Sequence, residues 1–517
     1  MKIKCYILEC DDHSLTNAVS EAMALFQLTA SVCSDSCKEA DIQLPPDSVL
    51  VRNDFKTDSN AASVEVITEI LFWRSIDTLD RIQKHRKAYL AGENPEKLGG
   101  RLVRLNILAI MSEITGYNPG PWGILRGVRP TKIVHRLLDK GLDQSTAISR
   151  MVTDYGVDKA KAGLITEIAI RQRSFLSLLS SNITSRTVSI YIGIPYCPSR
   201  CSYCSFPAYV LPATDEINAF MTALKQDIAA AAELVAQYNL TVQNIYVGGG
   251  TPTSLPGDEF SLLLGLIRQT FISYATGEFT VEAGRPDSID DNKIAAMRYF
   301  GVTRVSLNPQ TMQQKTLKLI GRMHTVQDII DMFQKLRNAA IPVINMDIIV
   351  GLPNEDEQDI TNTMEHICLL KPDNLTIHTL ALKKGSLLKA AALETQRYML
   401  PNEMSIGRML QSASSYACKM QMNPYYLYRQ KYMAGNLENV GYARPGTECL
   451  YNIQIMEERQ TIIGIGPAAG TKAVDINTWR LQSCYNAKDV YTYIKNLHIY
   501  IEERQNLLTK LFATKGE

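Results

Sequence analysis

Three cysteines spaced CxxxCxxC, Cys197, Cys201 and Cys204, directly follow the apolar run Val188–Ile194. A short apolar run of this kind reads as a buried strand, so the thiols sit on the loop that leaves its C-terminal end. Three thiolates can hold three irons of a [4Fe–4S] cube. The fourth iron then has no local cysteine and is open to a small molecule. A fold for this chain has to bring a strand end, a short cysteine loop and a cavity to one place.

The rival for such a triplet is a zinc knuckle. Structural zinc takes four Cys or His ligands, usually as two close pairs, and no second pair lies near the triplet. Elsewhere Cys33 and Cys37, with Cys10 and His13, make a weaker zinc candidate, set against two ordinary thiol pairs.

Lys+Arg 54 against Asp+Glu 53 is balanced, which argues against a broad nucleic-acid surface. No run of about 18 or more apolar residues is present, so no membrane span is expected. The start, Met1–Leu8, is soon followed by Glu9, Asp11 and Asp12 and reads as a first strand, not a signal peptide. Scattered thiols beside an Fe–S motif fit a reducing cytoplasm, the expected location.

At 517 residues the chain is long for one core. Residues 1–185 read as an N-terminal α+β module of unknown role, with helices around Leu15–Leu28, Leu102–Ala109, Thr131–Asp139 and Asp158–Leu179 and a polar linker at Ser180–Ser185. Residues 186–384 alternate strands and helices, the pattern of a parallel sheet. The strand candidates are Val188–Ile194, Val242–Val247, Glu278–Glu282, Thr303–Leu307, Ile344–Val350 and Leu375–Leu380. Six βα units are too few for a full barrel, so an α/β partial (β/α)6 barrel is expected, with its site at the C-terminal strand ends. Residues 385–517 read as an α+β extension that covers the substrate.

The strand ends carry the polar residues. The second strand runs into Gly248-Gly249-Gly250-Thr251, where the backbone can approach a ligand closely. Glu282 ends the third strand, Gln310 follows the fourth, and Asp347 lies on the fifth. S-adenosylmethionine (SAM) suits an open iron, because it must chelate the metal before it is cleaved. An acid, an amide and a second acid can hydrogen-bond its ribose and ammonium groups, and the fork of Arg322 can pair with its carboxylate. Each of these, alone, is as well explained by a rim salt bridge or a helix cap.

Tyr191–Leu380 resembles the radical SAM core of the oxygen-independent coproporphyrinogen III oxidase family. The likeness rests on YIGIPYC at Tyr191–Cys197, the GGGTPT run, the Gln310 and Arg322 segments and the Asp347…GLP strand. It narrows to the HemZ-type branch through VEAGRPD (Val281–Asp287), DNLTIHTLALKKGS (Asp373–Ser386), PYYLYRQKYMAGNLENVG (Pro424–Gly441) and PWGILRGVRPTK (Pro121–Lys132). The resemblance implies that Cys197, Cys201 and Cys204 ligate a [4Fe–4S] cluster and that Tyr191 and Tyr203 flank cluster and SAM. It implies that Glu282, Gln310, Arg322 and Asp347 contact SAM. Some members carry a fourth cysteine two residues after the third; this chain has Phe206 there.

The implied reaction is oxidative decarboxylation of two propionates of coproporphyrinogen III to the vinyls of protoporphyrinogen IX, in haem biosynthesis. The implied partners are the tetrapyrrole and an electron donor such as flavodoxin or ferredoxin; oligomeric state is open. Arg429, Lys431 and Arg444, interleaved with tyrosines, are the candidates for meeting the propionates. A tyrosine-rich strand with solvated charges explains them equally well, and Lys383 and Lys384 are weaker candidates, since adjacent lysines most often mark a solvated loop. Two other readings stand beside this one: a haem-trafficking protein of the same family, and a radical SAM enzyme on another substrate.

Overall fold

A computed structural model describes residues 4–8, 13–33, 45–75, 78–176, 186–383, 386–388, 399–430 and 433–513. Lys431, the linker at 180–185, and Cys10 and Cys37 of the zinc alternative lie outside the described residues. The chain divides into two compact units, 1–166 and 167–517.

The first unit holds β1 (Lys4–Leu8), α1 (His13–Met23), β2 (Ala30–Cys33), β3 (Ser48–Asp58), β4 (Ser63–Trp73) and β5 (Leu79–Tyr89). Helices α2 (Pro95–Thr115), α3 (Thr131–Asp139) and α4 (Gln144–Tyr155) follow. The sheet order is β2-β1-β3-β4-β5, with β3, β4 and β5 an antiparallel meander. Val49, Val51, Val64, Val66 and Ile70 meet the apolar stripes of α1 and α2 in one core. Strand β5 alternates exposed and half-buried residues, because only one face of an antiparallel edge needs burial. Helix α2 begins where the side chain of Asn94 accepts from the Lys97 N–H, with Pro95 in its first turn.

Helix α5 (Lys159–Leu176) leads into the second unit. There follow β6 (Thr187–Ile194), the short β7 (Tyr196–Cys197) and β8 (Tyr209–Val210), α6 (Thr214–Gln237), β9 (Thr241–Gly249), α7 (Gly257–Phe271), β10 (Glu278–Glu282), α8 (Asp291–Tyr299) and β11 (Arg304–Ser306). Then come α9 (Gln314–Leu319), α10 (Val326–Asn338), β12 (Val343–Val350), α11 (Glu357–Leu370), β13 (Asn374–Thr379), α12 (Glu403–Lys419), β14 (Asn423–Tyr428) and β15 (Asn439–Ala443). The chain closes with α13 (Leu450–Glu457), β16 (Thr461–Ile465), β17 (Gly470–Asp475), β18 (Arg480–Tyr485), α14 (Val490–Lys495) and α15 (Leu497–Phe512).

Strands β6, β9, β10, β11, β12 and β13 pair in chain order, each parallel to the next. This is the expected partial (β/α)6 barrel, formed because each strand is an apolar run that must be covered on both faces. The tail extends the same sheet at both edges, antiparallel β15 and β14 beside β13 and parallel β16 beside β6. Asp227, Tyr493 and Arg504 tie it down: Tyr493 Oη donates to Asp227 Oδ2 at 2.7 Å, and Arg504 pairs with Asp227 Oδ1 at 2.6 Å, all three buried. Among the described residues no helix is long and apolar enough to cross a membrane.

Candidate active site

A cavity of about 440 Å³ opens at the C-terminal ends of the barrel strands. Cys197, Cys201 and Cys204 border it, facing Gly249, Gly250, Thr251, Glu282, Gln310, Arg322 and Asp347. Residues from five successive strand ends thus converge with a loop that precedes most of them by tens of residues. Parallel strands in register deliver this, since every one of them ends at the same level.

Buried cations and backbone bonds pin the cysteine loop. Ser202 N–H donates to the Ile320 carbonyl at 3.0 Å, and Cys204 N–H to the Cys201 carbonyl at 3.2 Å. Arg285 grips Asp287 through Nε (3.0 Å) and Nη2 (2.8 Å), and reaches Ser199 Oγ at 3.1 Å and Cys201 Sγ at 3.6 Å. Burial would raise the Asp287 pKa, but hydrogen bonds from His324 and Arg285 outweigh it and hold the carboxyl low. Burial pushes the Cys197 thiol up to about 11, and pushes Cys204 up as well.

The donor set, three thiols on the rim of one cavity, fits an iron–sulfur cube. Among the described residues no three His, Cys, Asp or Glu side chains gather closely enough to hold a single metal ion. A cube offers its irons at separate corners, and Cys197, Cys201 and Cys204 all border one cavity. The cations Arg285 and Arg322 beside Cys201 supply the positive field that thiolates need. The opposite wall offers an unmatched acceptor: Gln310 Oε1 is buried without a hydrogen-bond partner, on a residue whose backbone is left-handed at φ 68°. The main chain there is pinned, Gln310 N–H donating to the Asp347 carbonyl at 2.9 Å, and the residue borders the cavity.

Glu282 accepts from Tyr246 Oη at 2.6 Å and from the Gly249 N–H at 3.1 Å. Burial, with the Asp347 charge adding to it, raises its pKa to about 7 against the lowering pull of Tyr246. Asp347 accepts from Asn345 Nδ2 at 2.8 Å and stands 3.6 Å from His378 Nε2. The other ring nitrogen of His378 lies 3.2 Å from Tyr428 Oη. His378, Arg285, Asn308, Tyr428 and Asn439 also border the cavity. Their signal in the sequence is position alone: each lies at or just beyond a strand end.

Several expected residues stand differently from their sequence reading. The glycine run serves the fold before any ligand: Gly250 N–H donates to the Ile194 carbonyl and Thr251 N–H to the Tyr196 carbonyl, both at 2.7 Å. A Cβ on Gly250 would meet the Tyr196 carbonyl oxygen at 2.4 Å, and Gly249 takes φ 111°. Gly248 does not border the cavity. Tyr191 is also off its wall, stacked with Tyr246 at 6.2 Å and Tyr451 at 5.8 Å. It lies three residues before the end of β6, roughly 10 Å down the strand. Arg322 borders the cavity, but its Nη1 donates to the Gly284 carbonyl (3.1 Å) and the Asn308 carbonyl (2.6 Å), while Nη2 reaches Tyr203 Oη at 3.4 Å. Tyr203 borders it too.

Of the substrate candidates, neither Arg429 nor Arg444 reaches the cavity. Arg429 is 4 % exposed and turned onto Asn436 Oδ1 at 2.5 Å, and burial lowers its pKa to about 10. Arg444 follows β15, whose antiparallel register sets Ala443 against Asn374 at the opposite end of β13. Besides Arg285 and Arg322, which hold the cysteine loop and its surroundings, Lys383 borders the cavity, with a pKa lowered by burial.

Residues 191–367 match the family model described as the Radical SAM superfamily. The chain is 38% identical over 412 residues to the oxygen-independent coproporphyrinogen-III oxidase-like protein HemZ of Bacillus subtilis, covering 79% of this chain and 80% of that one. It is 26% identical over 294 residues to the heme chaperone HemW of B. subtilis, covering 56% of this chain and 73% of that protein. The solved structure of Escherichia coli coproporphyrinogen III oxidase (HemN), described as a radical SAM enzyme, aligns with TM-score 0.51 at 22% identity. That alignment covers 63% of this chain and 72% of the other.

Proposed function

Since the chain belongs to the HemZ-type branch of the oxygen-independent coproporphyrinogen III oxidase family, within the radical SAM superfamily, we propose that it converts coproporphyrinogen III to protoporphyrinogen IX without oxygen. The observation that carries this reading is that the likeness to HemZ continues far past the barrel, through most of both chains. A shared barrel alone supports radical chemistry but not a substrate.

In this reading Cys197, Cys201 and Cys204 hold a [4Fe–4S] cluster, which with SAM supplies a 5′-deoxyadenosyl radical for removing hydrogen from a propionate. Arg285 orients Cys201 and holds the loop. Gln310 offers its free oxygen to a donor of the cofactor, and Glu282 and Asp347 offer carboxylates. Lys383 meets a substrate carboxylate, replacing Arg429 and Arg444 as the cation within reach.

HemW relatives favour a second reading, haem binding without porphyrin synthesis. Anaerobic reconstitution with iron and sulfide, followed by SAM, a reductant and coproporphyrinogen III, separates the two. Protoporphyrinogen and 5′-deoxyadenosine together support the oxidase. Deoxyadenosine without protoporphyrinogen rejects that substrate, and haem binding with no turnover favours trafficking.

A further inference from the structure

The first unit contains a cavity of its own, about 600 Å³, between faces of α2 and α3. Lys97, Arg101 and Arg104 line it from α2, and Arg136 and Lys140 line it from α3 and its end. The spacings are helical: positions 97, 101 and 104 share one face of α2, and positions 136 and 140 one face of α3. Five cations therefore look across one space, although the whole chain carries a formal charge of only +1.

Acidic groups offset them only in part: Glu93 and Glu96 are the two carboxylates of the lining. Arg101 pairs with Glu93 at 3.0 Å and Arg104 with Glu21 at 2.9 Å. Lys97, Arg136 and Lys140 make no ion pair among the described residues, and Arg136 donates only to the Lys132 carbonyl, at 3.2 Å. Lys97 is placed against its own helix: it stands in the first turn of α2, where the macrodipole already presents positive charge. A lysine there repels the helix terminus as well as its neighbours. Arg101 is 9 % exposed, and its Nε is buried without a hydrogen-bond partner. Five cations thus face two carboxylates, and Ile133, Leu137 and the ring of Tyr155, which lies 5.3 Å from the Arg101 guanidinium, add apolar surface.

We infer that this cavity binds a small organic polyanion, a molecule with at least two carboxylate or phosphate groups on an apolar or aromatic body. The anion neutralises the excess positive charge of the cleft, and guanidinium and ammonium groups are the donors that carboxylates and phosphates take. The volume admits more than an inorganic ion, and the apolar surface has no role toward an ion alone. The inference is independent of the reaction in the barrel, because every lining residue lies in the first unit.

Isothermal titration of the full chain with ADP, with coproporphyrin III and with pyrophosphate tests it, at low and at physiological salt. One of the two organic probes is expected to bind, more weakly at higher salt, with pyrophosphate at least tenfold weaker. Which organic probe binds tells phosphate from carboxylate recognition. Lys97→Glu with Arg136→Glu is expected to weaken binding at least tenfold while circular dichroism and melting stay those of the parent chain. Lys140→Gln, a milder change, is expected to weaken it a few-fold. Cys201→Ala is expected to leave this binding intact, which separates it from the barrel cavity. Absence of binding by both organic probes, or binding that the charge reversals leave unchanged, overturns the inference.

Discussion

Cations gather at two cavities in this chain, and their bonding differs. Beside the cysteine loop, Arg285 and Arg322 are 3 % and 4 % exposed, and their forks are taken up by Asp287, by backbone carbonyls and by Cys201. Between α2 and α3, Lys97, Arg136 and Lys140 stand exposed without an ion pair. Buried guanidinium groups whose terminal nitrogens are hydrogen-bonded fix a geometry and cost several kcal/mol to disturb. Exposed, unmatched cations hold nothing in place and remain available to a ligand. The first arrangement belongs to a preformed cofactor site; the second to a recognition site.

Substitutions can break that contrast, and the largest effect is expected at the cysteines. Cys201→Ala removes one of the three proposed ligands, and iron content, visible absorbance and SAM cleavage should all fall to background. Full cluster with full cleavage in this variant would discard the ligand assignment.

Glu282 is the reverse case, a carboxylate without a cation. Its folded value of about 7 exceeds the ordinary 4.5, so the Glu282 contribution to stability is fully present below 4.5 and is lost as pH rises through about 7. Glu282→Gln should flatten that slope by on the order of 2 kcal/mol, less than the whole shift because the carboxylate borders the open cavity. Denaturant melts from pH 4 to pH 8 measure it, and an unchanged slope would place the titration elsewhere.

Arg285→Ala should loosen the cysteine loop without removing a ligand, lowering cluster retention by roughly 10–100-fold, as loss of an outer-shell partner does. Timed iron release to a chelator reports it. Arg136→Ala in the first unit should leave iron release unaltered, so equal effects would erase the distinction between the two cation groups. The smallest effect is expected from Lys97→Gln, which should change stability by less than about 0.5 kcal/mol, toward gain, because it removes a charge opposed by the helix dipole. A clear loss would mean that Lys97 is structural.

Much of the second unit was legible in its residues. All six strand candidates match strands of the barrel to within a few residues, since strands buried on both faces must be continuous apolar runs. Strands β3, β4 and β5 were not legible. In β5, Leu79–Tyr89, charged and polar residues alternate with few apolar ones, because one face of that edge strand is solvated. The tail also resisted reading: β16 pairs with β6 across more than 270 positions, Thr461 against Val188, and no local pattern announces a partner so distant.

The site divides in the same way. The cysteine spacing, Glu282, Gln310 and Asp347 could be named because strand ends follow from the apolar runs. Arg285 could not, since its importance arises only where its fork meets a loop 84 positions earlier. Arg429 and Arg444 have the chemistry of carboxylate binders, but an antiparallel register carries one to the far end of the sheet and burial turns the other inward.

By itself, then, the order of residues determined that three thiols leave one strand end, that six apolar strands alternate with helices, and which acids and amides follow them. Ligand spacing and burial period are local, and a chain carries them before it folds. Only the tertiary structure decided which cations face the thiols, which face an open cleft and which face neither. Charge is a property of a residue, but its availability depends on neighbours that folding brings from elsewhere in the chain.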